Sequence, residues 1–176
     1  MKKGFTLIEM MIVVAIIAII AAIAIPSLLA ARRNTLETNA VGSCRAYASA
    51  QTMYKRNDWN GDGVLSYATP FSVLNTQVDA TGQAIQYIDG AFGAAIAAAS
   101  PKHGYWFADM ATVATVAIDW VNDYGLSATP AIYARTGYRS FIINVNGTTF
   151  GQDLGVAVQT ADYPANPLTA GWIVAE

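Results

Sequence analysis

The 176-residue chain has few charged residues, one cysteine and one histidine, and each shortage excludes a class of protein. Because Cys44 has no second cysteine to pair with, an internal disulfide is excluded, and a secreted domain of this size would need a full apolar core or a metal for stability. The lone His103 excludes a multi-histidine metal centre. Charged residues make up only 12% of the chain, against about 25% in soluble domains.

The small basic content also argues against nucleic acid as a partner. The net charge is −2, and no cluster of lysine or arginine follows Arg33, so the chain is a poor candidate for binding nucleic acid through phosphate neutralisation. The sequence also contains no nucleophile elbow, phosphate-binding loop or multi-ligand metal cluster. We therefore do not expect an enzyme.

What the chain does have is a long apolar run near its N-terminus. Residues 10–31 are 22 positions without a formal charge. As a helix they extend roughly 33 Å, which matches the bilayer core of about 30 Å. A secretory signal peptide has a shorter apolar region of about 7–15 residues. A plain membrane anchor fits the length but leaves Glu9 unexplained, since a carboxylate at the bilayer centre costs on the order of 2.5–3.5 kcal/mol.

The segment Lys-Gly-Phe-Thr-Leu-Ile-Glu at residues 3–9 closely resembles the prepilin leader of type IV pilins and type II secretion pseudopilins. The resemblance continues through the apolar run as far as Pro26. It implies that a membrane aspartyl peptidase cuts after Gly4 and that Phe5 becomes the N-methylated N-terminus. It further implies that Glu9 of one subunit pairs with the Phe5 amine of a neighbouring copy in a filament.

The resemblance also implies a life cycle with defined partners. The precursor is a single-pass protein of the bacterial inner membrane, processed by a prepilin peptidase and methylase and taken up by an assembly machinery. Copies of the chain then form an extracellular pilus. A periplasmic pseudopilus of a type II secretion system is the alternative, and a membrane-anchored binding module is the third hypothesis. The expected divisions are a leader at 1–4, a membrane and filament-core helix at 5–33, and a head at 34–176.

The long helix is expected to continue to about Arg56, and to kink or melt locally at Pro26 because proline lacks an N–H and clashes with the preceding turn. Beyond Arg33 its pattern becomes amphipathic, with one face predicted to pack on the head. That face comprises Leu36, Ala40, Cys44, Tyr47 and Tyr54, while Thr35, Glu37, Asn39 and Arg45 are expected to face elsewhere.

The segment after this helix resembles the first half of a calcium loop. Oxygen-bearing side chains alternate there, a glycine follows, and a backbone carbonyl and a hydroxyl complete the pattern. The candidate ligands are Asp58, Asn60, Asp62, Val64 through its carbonyl, and Ser66. Thr69 stands where an EF-hand has its bidentate glutamate, so an EF-hand proper is not expected. The alternatives are a looser Ca²⁺ site or a turn without an ion. No cofactor is required.

The remainder of the chain predicts one further helix and then strands. Residues 84–100 have a helical apolar stripe, and residues 104–110, 124–133 and 139–145 are β-rich. Pro130 favours an edge strand or a bulge, and Asn146-Gly147 predicts a type I′ hairpin. The tail from Asp162 is expected to cover the sheet as a loop. Together these elements predict an α+β fold, with a long N-terminal helix packed on a three- or four-stranded antiparallel sheet, as in type IV pilins.

Overall fold

The computed structural model describes residues 4–59, 62–78, 82 and 84–175. One long helix, α1, is followed by short elements and a sheet. The helices are α1 (Leu7–Tyr54), α2 (Val73–Thr76) and α3 (Gly90–Gly93); the strands are β1 (Gln77–Val78), β2 (Ala84–Ile85), β3 (Tyr105–Asp109), β4 (Thr112–Val113), β5 (Val116–Ala117), β6 (Gly125–Pro130), β7 (Arg139–Asn144), β8 (Phe150–Asp153), β9 (Asp162–Tyr163) and β10 (Ile173–Val174).

The 48-residue helix α1 has an exposed N-terminal half and a buried C-terminal half. It remains helical through Pro26, so the predicted local melting is wrong, and the kink stays a prediction. A single missing N–H bond is compatible with the helix because the turns on either side keep their own hydrogen bonds. The residues buried by the head are Glu37, Ala40, Val41, Ser43, Cys44, Tyr47, Ala50, Gln51 and Tyr54. The predicted apolar face is confirmed at Ala40, Cys44, Tyr47 and Tyr54, whereas Leu36 is half-buried.

The main sheet has five antiparallel strands in the order β10-β8-β7-β6-β3, and α1 packs against β7 and β6. The predicted α+β fold is therefore confirmed, with one strand more than expected. The extra strand comes from the tail, where Ile173 pairs with Gly151 of β8. The prediction of a loop from Asp162 is wrong for β9 and β10, two-residue strands too short for an alternating pattern to reveal.

Pro130 lies at the end of an interior strand, so the predicted edge strand is wrong. β6 pairs with β3 on one side and β7 on the other, but the pairing with β7 reaches only Ala128. The Ala131 N–H donates to the Gly104 carbonyl, on the side where β3 lies. Because the backbone N–H groups of successive residues point to opposite sides of a strand, the backbone nitrogen of Pro130 faces the β7 side. The missing N–H of proline therefore falls where β6 has no partner strand.

The β7–β8 hairpin is present, but its turn is not type I′. The Gly147 N–H donates to the Asn144 carbonyl at 2.9 Å, which places Val145 and Asn146 at the centre of the turn. Only Gly147 has a left-handed backbone, with φ +75°, whereas a type I′ turn needs positive φ at both central residues. The glycine thus leads the chain out of the turn instead of forming its centre.

The predicted helix over residues 84–100 is wrong. Only Gly90–Gly93 is helical, after an N-cap in which the Asp89 side chain accepts from the Phe92 N–H at 2.9 Å. Ile88 and Phe92 are buried as the stripe predicted, but Ile96 is 58% exposed. Glycines at 90 and 93 raise the entropic cost of a helix, and the stretch instead follows the surface of the core.

The core lies between the second half of α1 and the sheet. Tyr47 packs edge-on against Tyr124, with ring centroids 5.4 Å apart, and Gln51 holds the connecting loop by bonding both the N–H and the carbonyl of Ala68. Cys44 is fully buried, and burial raises the pKa of its thiol to about 12. Its place in the core therefore accords with its position on the predicted apolar face of α1.

Candidate functional site

The peptide bond between Gly4 and Phe5 lies just before the N-cap of α1. Thr6, the N-cap, has φ −81° and ψ 153°, and the two residues before it have no regular structure. Phe5 is 78% exposed, and no atom lies within 4 Å of the place where a Cβ would stand on Gly4. Exposed segments without regular structure are the preferred sites of proteolytic cleavage.

Glu9 folds back onto the start of its own helix in a capping box. Its Oε2 accepts from the Thr6 N–H at 2.8 Å and from the Thr6 hydroxyl at 2.6 Å, and its own N–H donates to Thr6 Oγ1 at 3.3 Å. The carboxylate is thereby held at the positive end of the helix dipole. Sequence reasoning missed Thr6, although the pattern Thr-x-x-Glu before an apolar run is the signal of this motif.

The first half of α1 has no partner. Among the described residues it is the one helix long and apolar enough to span a membrane, and none of its most apolar 18-residue window is buried. Large side chains such as Ile16 and Ile20 are 53% and 60% exposed. Soluble monomers rarely expose contiguous apolar patches above a few hundred Å², so this surface requires lipid or other chains as its cover.

The predicted site residues fall into two places along this half. Gly4, Phe5 and Glu9 lie close together in the sequence at the N-terminal end of α1, whereas Pro26 lies roughly 26 Å further along the helix. Pro26 is exposed and so belongs to the unpartnered surface, not to the processing site.

The head is joined to α1 by a partly buried ion pair between Glu37 and Arg139. Glu37, expected to face away from the head, is only 5% exposed. Its Oε2 lies 2.8 Å from Arg139 Nε, and its Oε1 accepts from the backbone N–H groups of Tyr138 at 2.9 Å and Arg139 at 3.3 Å. Charged groups enter a core only with such partners, and the partner here is 102 residues away, beyond the reach of a local pattern.

The loop predicted to hold Ca²⁺ is bonded to its own backbone. Asp58 Oδ2 accepts from the Gly63 N–H at 2.8 Å, and Asp62 Oδ1 accepts from the Val64 N–H at 2.7 Å. Ser66 lines a separate pocket beside Tyr54 and Trp59. These oxygens match the hard ligands that Ca²⁺ takes.

The remaining candidate ligand, Asn60, lies outside the described residues. Within the described part of the chain, no three His, Cys, Asp or Glu side chains form a group that could hold a metal. The calcium site therefore stays a prediction. Its proposed ligands include carbonyl and amide oxygens as well as carboxylates.

Comparison with known proteins decides the family. Residues 1–25 match the prokaryotic N-terminal methylation motif, and residues 27–165 match a family described as "Protein of unknown function (DUF2950)". The type IV wide pilus major component PilA4 of Thermus thermophilus is 38% identical over 112 residues, which cover 59% of this chain and 86% of that protein. The chain belongs to the type IV pilin family and to this DUF2950 family.

Two other matches are to a fimbrial protein and to a secretion-system protein. A fimbrial protein of Pseudomonas aeruginosa is 39% identical over 103 residues, which cover 58% of this chain and 63% of the relative. Type II secretion system core protein G of the same species is 40% identical over 58 residues, or 33% of this chain and 41% of that protein. No solved structure matches the chain.

Proposed function

We propose that this pilin is the structural, non-catalytic subunit of a type IV pilus-like filament. The precursor is inserted in the inner membrane, cleaved after Gly4, N-methylated at Phe5 and polymerised through α1. The observation that carries the proposal is the combination on one helix of an unpartnered apolar half and a tip that presents an open Gly4–Phe5 bond beside a fixed Glu9 carboxylate.

The apolar half suits two successive environments. In the bilayer its backbone groups are satisfied within the helix, and its side chains contact lipid. In a filament the same surface packs against identical helices, which small side chains allow to approach closely. Those side chains are Ala15, Ala18, Ala21, Ala22 and Ala24.

Glu9 acts in this proposal as the device that sets the register of assembly. Cleavage removes Lys2 and Lys3 and creates an amine on Phe5, next to the carboxylate that Thr6 holds. A neighbour's amine then neutralises Glu9 inside the apolar filament core. A mis-stacked subunit leaves the carboxylate buried and unpaired, at a cost of roughly 3–5 kcal/mol.

The second candidate function is that of a pseudopilin in a type II secretion system. It is favoured by the match to core protein G, which is 40% identical over 58 residues. The longer match to a pilus major component, 112 residues, favours the pilus. The two candidate functions share processing and helix packing. They differ in location, because a pilus is extracellular and a pseudopilus stays in the periplasm.

The proposal is tested by intact-mass measurement of the chain from sheared surface material and from the cell envelope. A subunit that begins at methylated Phe5 in long surface filaments is the expected result. A processed chain confined to the envelope would favour the pseudopilin. A chain that still begins at Met1 in the membrane would contradict both filament functions and leave a simple anchor.

A further inference from the structure

A basic groove lies where α1 leaves the head, and no part of the proposed assembly role uses it. We call it the arginine groove; it has a volume of about 390 Å³ and is lined by Leu29, Arg32, Arg33, Leu36, Ala134, Arg135 and Thr136. One wall is α1 and the other is the loop between β6 and β7. Three of its seven residues are arginines, although the chain as a whole carries a net negative charge.

The loop wall is held by its own hydrogen bonds. Ala134 has a left-handed backbone, with φ +62°, and the Thr136 hydroxyl bonds both the N–H and the carbonyl of Ile132, at 3.1 and 3.0 Å. A non-glycine residue at positive φ persists only where its surroundings fix it. The groove is therefore a built feature of the fold and not an accident of a loose loop.

The arginines differ in how they are engaged. Arg33 Nη1 donates to the Ala134 carbonyl at 3.3 Å, and its guanidinium lies 5.0 Å from the centroid of the Tyr138 ring. Arg32 and Arg135 are exposed, and within the described part of the chain no ion pair neutralises either of them. Glu37, one turn beyond Arg33 on α1, is already bound to Arg139.

The groove lies at the boundary of the apolar segment. Leu29 belongs to the uncharged residues 10–31, and Arg32 follows them directly. With that segment in a bilayer, the groove stands at headgroup level in the leaflet from which the head emerges. In the proposed precursor the head lies outside the cytoplasm, whereas lysine and arginine are normally enriched on the cytoplasmic side of a span, so three arginines at this position call for a specific partner.

We propose that the arginine groove binds the phosphate of an anionic phospholipid headgroup in that leaflet, which rests on the proposed membrane insertion of the precursor. Guanidinium groups present paired N–H donors that match phosphate oxygens. Leu29 and Leu36 border the same groove and supply the apolar surface that the glycerol and upper acyl chain contact. Arg33, fixed by Tyr138, forms the base of the site, and Arg32 and Arg135 close on the phosphate.

The test is native mass spectrometry of the full-length chain in detergent, titrated with dioleoylphosphatidylglycerol or dioleoylphosphatidylcholine. The double variant Arg32→Gln/Arg135→Gln leaves the contacts of Arg33 in place. Its matched control is Arg56→Gln, a single exposed arginine just past the opposite end of α1. The wild-type chain and the control are expected to prefer phosphatidylglycerol, and the double variant is expected to lose roughly thirtyfold of that preference.

Three results would overturn the proposal. One is equal affinity of the wild-type chain for the two lipids, and another is an unchanged preference in the double variant. The third is full competition by millimolar glycerol phosphate, which would assign the groove to a soluble phosphate. Recovery of the chain in the membrane fraction tests insertion separately, so failure of the lipid site is distinguishable from failure of the proposed function.

Discussion

The two halves of α1 belong to one uninterrupted helix, yet they invert the usual relation between hydrophobicity and burial. The uncharged residues 10–31 form the more apolar half, and it is uncovered. The half from Glu37 to Tyr54 carries polar and charged residues and is packed into the head, with Tyr47 and Cys44 fully buried. Burial in this molecule therefore follows from available partners and not from hydrophobicity alone, and the exposed half indicates that the monomer is incomplete.

Specific polar contacts also divide unequally between the halves. The head half is fixed by the Glu37–Arg139 pair and by Gln51 on Ala68. The apolar half has its capping box at the tip and otherwise offers an apolar surface without directional contacts. Register in the head is therefore set within the chain, while in the proposed filament the register of the apolar half is set by a second copy.

The largest effect is expected from Glu9→Leu. Removing the carboxylate leaves the neighbour's Phe5 amine buried and unpaired, which is costly. The number of surface filaments in electron micrographs of sheared material should therefore fall at least tenfold. Thr6→Ala is the control, because it removes the cap and keeps the charge, and filaments should persist. Normal filaments from Glu9→Leu would refute the pairing.

In the head, Gly137→Ala should strongly lower the free energy of unfolding. A Cβ there would stand 1.9 Å from Tyr105 Oη, whose hydroxyl bonds the Arg139 carbonyl, so strand β7 or the ring must move at a cost of about 3 kcal/mol. Gly42→Ala is the matched control on the exposed side of α1. Its Cβ meets nothing within 4 Å, and it should stabilise by about 0.5–1 kcal/mol. Urea unfolding of the detergent-solubilised chain measures both, and a tolerated Gly137→Ala would mean that this packing is softer than the geometry indicates.

Glu37→Gln should loosen the junction between helix and head. The amide keeps an oxygen for the Tyr138 N–H but loses the charge that faces Arg139. We expect a loss of about 2–3 kcal/mol of unfolding free energy, below the value for a fully buried pair because Arg139 is partly exposed. Asn39→Ala, on the exposed side of the same helix turn, should change stability by less than about 0.5 kcal/mol. Equal effects of the two variants would show that the ion pair contributes nothing.

The stability of the head should also decrease between pH 4 and pH 6 because of Asp109. Burial raises the pKa of this carboxyl to about 6 from its ordinary 3.8, although the Phe71 N–H donates to it. The folded state therefore holds the proton that the unfolded state releases, and the stability present below pH 4 is lost as the pH rises through 6, by about 2 kcal/mol. Asp109→Asn should flatten the dependence of stability on pH in that window. An equally steep dependence in the variant would mean that another group causes it.

The smallest effect concerns Ca²⁺ at the loop after α1. With the affinity of an extracellular module, 5 mM calcium should stabilise the chain by about 1–2 kcal/mol, measured as a rise in melting temperature. Asp62→Asn should abolish the rise, and magnesium should not reproduce it. If the wild-type chain shows no heat in calorimetry and no shift in melting temperature with calcium, the loop is a turn that holds no ion.

The sequence was most informative where the pattern was long or local. The apolar run, the amphipathic face of α1 and strands β3, β6 and β7 followed from spacing and composition, whereas the cleavage motif at Gly4 and Phe5 was identified through its resemblance to the prepilin leader. Glu37 did not, because its partner comes from a strand 102 residues away. Pro130 misled because its missing N–H faces the side on which β6 lacks a partner, which depends on where β7 begins its pairing. Residues 84–100 carry a helical stripe, but their core contacts and two glycines outweigh it.

The most direct test of the central claim is a cryo-electron microscopy reconstruction of sheared filaments of this chain. The account predicts a helical filament in which the apolar half of α1 is buried against other copies, Glu9 faces the Phe5 amine of a neighbour, and the heads lie outside. A filament whose subunits meet only through their heads, with residues 10–31 uncovered, would contradict it.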